Sequence, residues 1–373
     1  MWKWIGAAAL LAVAACNSNP FDGLEIDVPG AAVFAMTNQP GNAVVMYLRD
    51  INGGLTTGVA YPTGGAGTNA SLGSQGAVAV TIDGAWVLAA NAASNDVSVF
   101  RVHLDSLELV GRTPSGGTRP VSIAVRGVLV YVLNAGGAGN ITGFRLTSTG
   151  LTAIEGSTRA LSGAADPQPA QVGFSPDGTR LVVTEKATNK IDIYTVNADG
   201  TVSGPTVNNS TGVTPFGFGF SPVTGVLLVS NANAPGGTPV PDGSSVTEYT
   251  LDTTNHISVL SGPVGTTETA ACWTVVTPDG RVTFVSNTGS SSISAFRLFE
   301  GLTLVTPDGK TATTGPAGAM PAELAITSDG ATLYVLNTGI GTIRGYRVSS
   351  TGSLTQVTEV TGLPINSYGM AAN

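Results

Sequence analysis

The stretch MPAELAITSDGATLYVLNTGIGTIRGYRV, residues 320–348, decides the fold. Apolar residues alternate in three short runs, at 324–326, 333–336 and 343–348. Alternation with a period of two is typical of half-buried β-strands, because successive side chains point to opposite faces. Turn-forming residues, Asp329-Gly330 and then the segment 339–341, separate the runs. The stretch therefore predicts three antiparallel strands in a meander.

The same strand–turn–strand unit recurs along the whole chain. Its end points are Asn38, Asn91, Asn134, Glu185, Asn231, Asn287 and Asn337. The shortest interval, from Asn91 to Asn134, is 43 residues, and the longest, from Asn231 to Asn287, is 56. A third apolar run follows each end point, and in several repeats a fourth follows a Gly-containing turn. Four strands in about 40–50 residues is typical of a propeller blade, so the seven repeats predict an all-β, seven-bladed β-propeller with four antiparallel strands per blade.

The first repeat is incomplete, and this predicts how the ring closes. No inner-strand pattern precedes residue 31, whereas residues 364–372 match that pattern and have no blade of their own. We therefore expect residues 366–372 to form the innermost strand of the first blade. Pairing the two ends of the chain in this way leaves no open edge strand.

The first sixteen residues, MWKWIGAAALLAVAAC, have the pattern of an export signal. Lys3 precedes an apolar segment that is too short to cross a bilayer as a mature helix but fits a secretory signal. Residues 13–16, Val-Ala-Ala-Cys, resemble the lipobox of bacterial lipoproteins, with cleavage near an incidental Cys16 as the alternative. We predict a signal peptide at 1–15, a lipidated Cys16 with a tether at 16–29, and the propeller at 30–373. Asn17, in place of Asp, favours the outer membrane, facing the periplasm or the cell surface.

Charge and composition exclude several classes of partner. The formal net charge is −8 and only 11% of residues are charged, with the basic residues scattered singly. A phosphate backbone needs clustered Lys and Arg, so we expect no nucleic acid partner. The dinucleotide-like segment 65–70 precedes no helix and the calcium-like segment 50–53 lacks its downstream Glu, so we predict no cofactor and no metal. Cys272 has no partner but Cys16, and we interpret it as a small buried apolar residue.

The repeated Asn residues have a structural explanation. Asn bonds to neighbouring backbone and tolerates the left-handed region, which explains its use at the end of a strand in each blade. Asp83, Asp177, Asp279 and Asp329 have the same turn-forming role at the opposite face. Glu185 breaks the pattern, because a carboxylate followed by Lys186 replaces the amide in the fourth repeat.

Several of these motifs resemble one known family. Tyr131-Val132-Leu133-Asn134, its counterpart at 334–337 and Ser-Pro-Asp-Gly at 175–178 resemble the YVTN-type repeats of the lactonase family, which is named for 6-phosphogluconolactonase. The similarity extends from about residue 31 to residue 372. The resemblance implies a seven-bladed propeller and, in members with assigned catalysis, a histidine with arginine and glutamate at the channel mouth.

The two histidines do not match that arrangement. His103 and His256 lie between the third and fourth strands of their predicted blades, away from the mouth, and we interpret both as surface residues. An enzyme without the family histidine would use Glu185 or Glu323 as general base for water, with Arg119 polarising the carbonyl. The same mouth supplies candidate ligand-binding residues. These are Lys186, Gln171, Phe216, Glu268, Trp273 and Tyr368.

The loop at 232–245 is the longest insertion between a second and a third strand. It carries Pro235, Pro239 and Pro241, and we expect it either to flank the mouth or to be a tolerated surface insertion. Our leading interpretation of function is a lipid-anchored platform in the bacterial envelope that binds a protein, a glycan or a small molecule. The alternatives are a hydrolase of a sugar lactone at the channel mouth, so enzyme activity stays open, and a purely structural role in the envelope.

Overall fold

The chain is described from a computed structural model that covers residues 31–299 and 301–373. Thirty strands form seven antiparallel sheets, which confirms the predicted seven-bladed propeller. The predicted signal peptide, Cys16 and the tether to residue 29 lie outside the described residues. Within the described part of the chain, no helix has the length and apolar character needed to cross a membrane.

Each blade is named in chain order, from its inner to its outer strand. Blade one contains β30 (Met370–Ala372), β1 (Ala32–Met36), β2 (Ala43–Leu48) and β3 (Val59–Pro62). Blade two contains β4 (Val78–Val80), β5 (Trp86–Asn91), β6 (Asp96–Val102) and β7 (Leu107–Pro114). Blade three contains β8 (Pro120–Arg126), β9 (Leu129–Asn134), β10 (Asn140–Thr147), β11 (Gly150–Ala153) and β12 (Arg159–Ala160).

The remaining four blades follow the same order. Blade four contains β13 (Pro169–Phe174), β14 (Arg180–Glu185), β15 (Lys190–Val196) and β16 (Val202–Asn209). Blade five contains β17 (Pro215–Phe220), β18 (Leu227–Asn231), a short 3-10 helix (Pro235–Gly237), β19 (Ser245–Leu251) and β20 (Ile257–Gly265). Blade six contains β21 (Ala271–Val276), β22 (Val282–Asn287), β23 (Ser292–Arg297), β24 (Thr303–Leu304) and β25 (Ala312–Thr313). Blade seven contains β26 (Pro321–Ile326), β27 (Thr332–Asn337), β28 (Thr342–Val348) and β29 (Leu354–Thr361).

The two ends of the described chain close the ring in blade one. Strand β30 pairs with β1 so that Ala35 faces Met370 and Val33 faces Ala372. The predicted closure is confirmed, although the regular strand is shorter than the expected 366–372. Asn366 has a φ of 64°, in the left-handed region, so the chain turns before it enters the blade. Just beyond that turn, the Tyr368 N–H donates to Met36 O at 3.1 Å.

Large tyrosines fill the middle of two blades, and glycines make room for them. Tyr131 and Tyr334 are fully buried, and in each case a glycine of the next strand is the register partner, Gly143 and Gly345. A Cβ on Gly143 would lie 2.7 Å from the Tyr131 ring, closer than real Cβ contacts. The Tyr131 hydroxyl donates to Gly200 O at 2.8 Å, so its polar end is satisfied inside the core.

The strand directions define two faces of the ring. We call upper the face that carries the turns from second to third strand and the connections between blades. The lower face carries the turns from first to second and from third to fourth strand. On the lower face, Asp83, Asp177, Asp279 and Asp329 each accept a hydrogen bond from the Ser or Thr hydroxyl two residues earlier, at 2.5 to 2.6 Å. These contacts support the structural role predicted for the four carboxylates.

Candidate functional site

The central channel is closed by a segment of the chain, residues 71–76, which we call the plug. It belongs to the connection between blades one and two. The Gln75 N–H donates to Ala170 O of blade four at 2.9 Å, and the Ser74 hydroxyl donates to Val121 O of blade three at 2.8 Å. Ser74 and Gln75 are both buried. The plug was not predicted, because Ser-Leu-Gly-Ser-Gln-Gly has the composition of an ordinary turn.

On its other side the plug contacts blades six and seven. The Gln75 side chain exchanges two hydrogen bonds with the backbone of Thr274, at 2.8 and 2.9 Å. The indole N–H of Trp273 donates to Ser74 O at 2.9 Å, and the Gly76 N–H donates to a Glu323 carboxylate oxygen at 2.8 Å. A segment held by inner strands of four blades is fixed across the channel. The space above it is therefore a cavity with one opening.

That cavity has a volume of about 730 Å³, within the range of small-molecule sites. We call it the upper cavity. Its wall is made of loops from blades four to seven, of the plug and of the closing segment. The lining residues that carry polar or aromatic groups are Ser71, Gln168, Lys186, Asn189, Thr214, Phe216, Cys272, Trp273, Thr288 and Tyr368.

Three aromatic side chains from three different blades meet in the wall. The ring centroids of Phe216 and Trp273 are 4.9 Å apart, and those of Trp273 and Tyr368 are 6.4 Å apart. The Tyr368 hydroxyl donates to the Ser71 hydroxyl at 2.8 Å, which ties the closing segment to the plug. The rings are tilted against one another by 52° and 40°, so the cluster is a rigid, angled aromatic wall that a ring-shaped ligand could contact.

Lys186 is the cation of the upper cavity. Its ammonium group donates to Gly73 O and to Pro169 O, and it lies 5.0 Å from the centroid of the Phe216 ring. Loss of hydration lowers the pKa of Lys186 to about 8. Neighbouring Cys272 opposes that shift, whereas Arg119 adds to it. Lys186 therefore fastens the plug to blade four and gives the cavity a positive charge that is readily lost at alkaline pH.

Cys272 also lines the upper cavity. Its side chain is buried, and burial raises the pKa of the thiol to about 12, although Thr288 and Lys186 oppose the shift. The thiol is therefore protonated near neutral pH, which fits the interpretation of Cys272 as a small apolar residue.

Glu323 lies beside the plug and does not line the upper cavity. It is buried on β26, one carboxylate oxygen accepts the Gly76 N–H, and the other oxygen has no hydrogen-bond partner. Burial raises the pKa of Glu323 well above its usual range, although the Gly76 N–H opposes the shift. This environment favours the neutral acid.

Glu185 also lies outside the upper cavity, in the contact between blades three and four. Its carboxylate accepts the Ser162 N–H at 2.9 Å, the Ser162 hydroxyl at 2.7 Å and the Thr188 hydroxyl. Asp192 of β15 is buried next to it. Burial, followed by the adjacent charge of Glu185, raises the pKa of Asp192 to about 8. The two groups form a buried acid pair, and the raised pKa of Asp192 favours its protonated form, which could donate to Glu185.

The other predicted site residues are spread over the channel and its rim. Arg119 is exposed on the upper face, and its guanidinium donates to Ser71 O at 3.4 Å. Gln171 bonds the backbone of Phe218 inside the channel wall, outside the upper cavity. Glu268 is buried and accepts the Ser292 hydroxyl at 2.9 Å, also outside the cavity. Of the six predicted ligand-binding residues, the structure brings together Lys186, Phe216, Trp273 and Tyr368.

Both histidines lie in lower-face turns, as the sequence indicates. His103 follows β6 and bonds Glu108 at 3.3 Å, and His256 bonds Thr254 at 3.0 Å in the turn between β19 and β20. Neither lines the upper cavity.

Sequence reasoning missed a set of rim residues that share one backbone feature. Gln168, Thr214 and Met320 have φ values of 49°, 57° and 53°, and each directly precedes the proline that begins an inner strand. The left-handed conformation of a non-glycine residue is strained, and its repetition here turns these side chains to the cavity wall. The sequence signal that could have identified these rim residues is the X-Pro dipeptide that recurs at the start of inner strands. The 232–245 loop also contributes to the wall, through Ala232, Ala234, Pro235, Gly236, Gly237 and Pro239.

The arrangement defines what the site can do. No carboxylate and no imidazole belongs to the described lining of the upper cavity, so no general base of the predicted kind faces a bound molecule. In the described part of the chain, no group of three or more His, Cys, Asp or Glu side chains is placed to hold a metal ion. The fold and the site define a plugged seven-bladed propeller with one ligand-sized cavity at its upper mouth.

Comparison with known proteins places this propeller in a family. The model of the family described as lactonase, 7-bladed beta-propeller, matches residues 31–155 and 244–365, and the chain belongs to that family. No curated protein sequence matches the chain.

Solved structures share the fold at low sequence identity. The periplasmic gluconolactonase PpgL of Pseudomonas aeruginosa has a TM-score of 0.68 and 15% identity, over 92% of this chain and 98% of that one. A protein from Lactobacillus plantarum has a TM-score of 0.71 and 18% identity, over 92% and 99% of the two chains. A provisionally assigned 6-phosphogluconolactonase from Bacteroides uniformis has a TM-score of 0.66 and 18% identity, over 93% and 100%. At these identities the likeness shows the fold alone.

Proposed function

We propose that this protein is an exported, lipid-anchored binding protein of the bacterial envelope that holds a small ring-shaped ligand, such as a sugar derivative, in the upper cavity. One observation supports the proposal most. Phe216, Trp273 and Tyr368 converge in a cavity of about 730 Å³ that is closed below by the plug. Aromatic faces of this kind stack on flat rings, and the enclosure removes the ligand from water.

The charge of the cavity favours ligands with electronegative or anionic substituents. Lys186 lines the wall, and no lining residue is a carboxylate, although the protein as a whole carries a net charge of −8. A carboxylate or phosphate group of the ligand would approach Lys186 and the exposed Arg119 at the rim. Sugar acids, sugar lactones and sugar phosphates combine a ring-sized body with such groups.

Calorimetric titration of the purified protein with these three ligand classes tests the proposal. Trp273→Ala removes the central aromatic ring, and we expect its affinity to fall at least about tenfold. Trp86→Ala is the matched control, since Trp86 lies on β5 and packs against Arg101. Equal affinity for wild type and Trp273→Ala would contradict a site in the upper cavity.

Hydrolysis of a sugar lactone is the second candidate, favoured by the family of the chain. Of the two predicted bases, Glu323 lies nearer the cavity, beside Trp273 and the plug, whereas Glu185 is enclosed between two blades. To act as general base, Glu323 would first have to lose the proton that its buried environment favours. Turnover of aldonolactones that is lost in Glu323→Gln and kept in Glu185→Gln would establish this alternative. Absence of turnover above the uncatalysed rate would favour the binding protein.

The location in the envelope rests on the sequence of the first sixteen residues. Metabolic labelling with a radioactive fatty acid tests it, with Cys16→Ser as the variant that removes the acceptor thiol. We expect label and membrane association in the wild type and neither in the variant. Fatty acid incorporation that persists in Cys16→Ser would contradict lipidation at this residue.

A further inference from the structure

The lower face of the ring carries a set of exposed apolar side chains at the tips of its turns. Ile51, Ile82 and Phe299 are 97%, 96% and 80% exposed, and Val128 and Val223 are also mostly exposed. Ile51 and Phe299 lie in turns between third and fourth strands, and Ile82, Val128 and Val223 in turns between first and second strands. A single exposed apolar side chain needs no explanation, but five of them at the turn tips of one face mark a candidate docking surface.

The described chain begins on the same face as these tips. Ala31 precedes β1, a second strand, and second strands start at the lower face. The last residue, Asn373, lies there too, because its side-chain carbonyl accepts the Ala32 N–H at 2.6 Å. The turn that carries Ile82 is adjacent, since a Cβ on Gly84 would lie 2.7 Å from the Asn373 side chain. A tether that ends at residue 30 therefore enters the propeller on the face that carries these tips, beside the turn of Ile82.

Two of the apolar tips lie close to each other. Ile82 of blade two and Val128 of blade three line one shared depression of about 340 Å³. Asp83 also lines this depression, and its carboxylate is bonded within its own turn. Asp83 accepts the Thr81 hydroxyl at 2.5 Å and the Ala85 N–H at 3.1 Å, and Asp50 accepts the N–H groups of Asn52 and Gly54. These bonds hold the two carboxylates against the backbone of their turns, beside the apolar tips.

We propose that the lower face docks on a lipid bilayer, with Ile51, Ile82 and Phe299 inserted at the level of the headgroups. The inference rests on the lipid anchor proposed above, since residues 17–30 join Cys16 to this face. An anchor that enters at one face brings that face to the bilayer, and exposed apolar tips gain from burial in the interface. The upper cavity then opens away from the membrane, toward the aqueous compartment.

Fluorescence quenching tests this orientation with the full lipidated protein in vesicles of phosphatidylethanolamine and phosphatidylglycerol. An environment-sensitive dye is attached to Ile82→Cys, to Phe299→Cys and, as the control, to Val240→Cys in the upper-face loop. Cys16 is occupied by lipid, and Cys272 is buried. Brominated lipids should reduce the emission at positions 82 and 299 at least about twofold and leave position 240 unchanged.

The outcomes separate this inference from the anchor itself. Vesicle-bound protein without quenching at 82 and 299 would overturn the docking face and leave the anchor standing. Protein that does not partition into the vesicle fraction would overturn both. Disulfide cross-linking between two copies through Ile82→Cys, without quenching, would show that a second copy covers this face and would also overturn the proposal.

Discussion

Blades two and four place different side chains at the same point of the fold, the end of the second strand. In blade two, Asn91 donates to Asp96 at 2.7 Å and to Ser98 at 2.8 Å. Its carbonyl oxygen accepts from Asn42 and Thr63 of blade one, both at 2.8 Å. The uncharged side-chain amide of Asn91 thus bonds to donors and acceptors on both sides of the contact between blades one and two.

Blade four places a carboxylate at that position and a second one where blade two has Ser98. Glu185 accepts three hydrogen bonds from Ser162 and Thr188, and buried Asp192 faces it. A carboxylate cannot donate, so the pair needs a proton to do what the amide does. The difference teaches that the amide position of one blade can be taken by an acid pair, and we expect the contact of blades three and four to depend on pH because the pKa of Asp192 is raised.

The largest effect is expected where the amide network is removed. Asn91→Ala leaves Asn42, Thr63 and Ser98 with unmet hydrogen bonds inside the contact of blades one and two. We expect the free energy of unfolding to fall by about 2–4 kcal/mol. Urea denaturation measures it, with Asn52→Ala in an exposed turn as the control. A loss as small as that of the control would refute the stabilising role of the amide.

A single substitution can give blade two the chemistry of blade four. Asn91→Asp places a carboxylate against Asp96, which accepts from Asn91 at 2.7 Å in the native protein. We expect a loss of about 2–3 kcal/mol at pH 8 that shrinks at pH 5, because a proton relieves the repulsion. Denaturation at the two pH values measures the change, and a loss independent of pH would contradict it.

Replacing the carboxylate of Asp192 by an amide should stabilise blade four. The pKa of Asp192 is raised to about 8, so the folded state binds its proton more tightly than the unfolded chain does. Its contribution to stability is therefore complete below pH 4 and is lost as the pH rises from 4 to 8. Asp192→Asn donates to Glu185 without titrating, and we expect a gain of about 1–2 kcal/mol at pH 8 and little change at pH 4.

The stability curves of wild type and Asp192→Asn between pH 4 and pH 9 measure this difference. Asp105→Asn, in an exposed turn of blade two, controls for the loss of one negative charge. Parallel curves for wild type and Asp192→Asn would show that the acid pair does not take up a proton on folding.

The smallest effect on stability is expected for Glu185→Gln. The amide keeps an oxygen for Ser162 and Thr188 and gains an N–H that donates to Asp192. Since one acceptor is lost and one like charge is removed, the net change at pH 7 should be about 1 kcal/mol or less. The informative measurement is the slope of stability between pH 4 and pH 8, which should become shallower than in the wild type. An unchanged slope would mean that Glu185 adds nothing to the raised pKa of Asp192 beyond the effect of burial.

The sequence shows the fold well because each blade repeats the same physical requirements. Alternating apolar residues recur in all seven repeats, strand-ending Asn residues in six and Asp-Gly turns in four. The missing inner strand of the first repeat predicts a closing strand at 366–372, and the structure forms it at Met370–Ala372. Glu185 stands out as an exception to the pattern. Its neighbour Asp192 does not, because the two carboxylates are not register partners: Asp192 pairs with Val183 and Glu185 with Lys190 across β14 and β15.

The site was predictable only in part. Phe216, Trp273 and Tyr368 begin inner strands or the closing segment, and this position brings them to the mouth. Glu268 and Gln171 have similar positions in sequence, but they face the contact with Ser292 and the channel wall. The local sequence pattern predicts how far along the channel a residue lies. The direction in which its side chain points depends on bulges such as the one between Pro169 and Gln171. The plug depends on contacts that span 199 residues, and no local pattern contains them.

The hydrogen bonds of Gln75 and Ser74 across the channel close the upper cavity at its lower end. Solutes cannot pass along the whole channel, so every molecule that enters the upper cavity must leave through the same upper opening. Arrival and departure then share one path past the 232–245 loop, and anything that narrows this path slows both rates while the equilibrium occupancy stays the same.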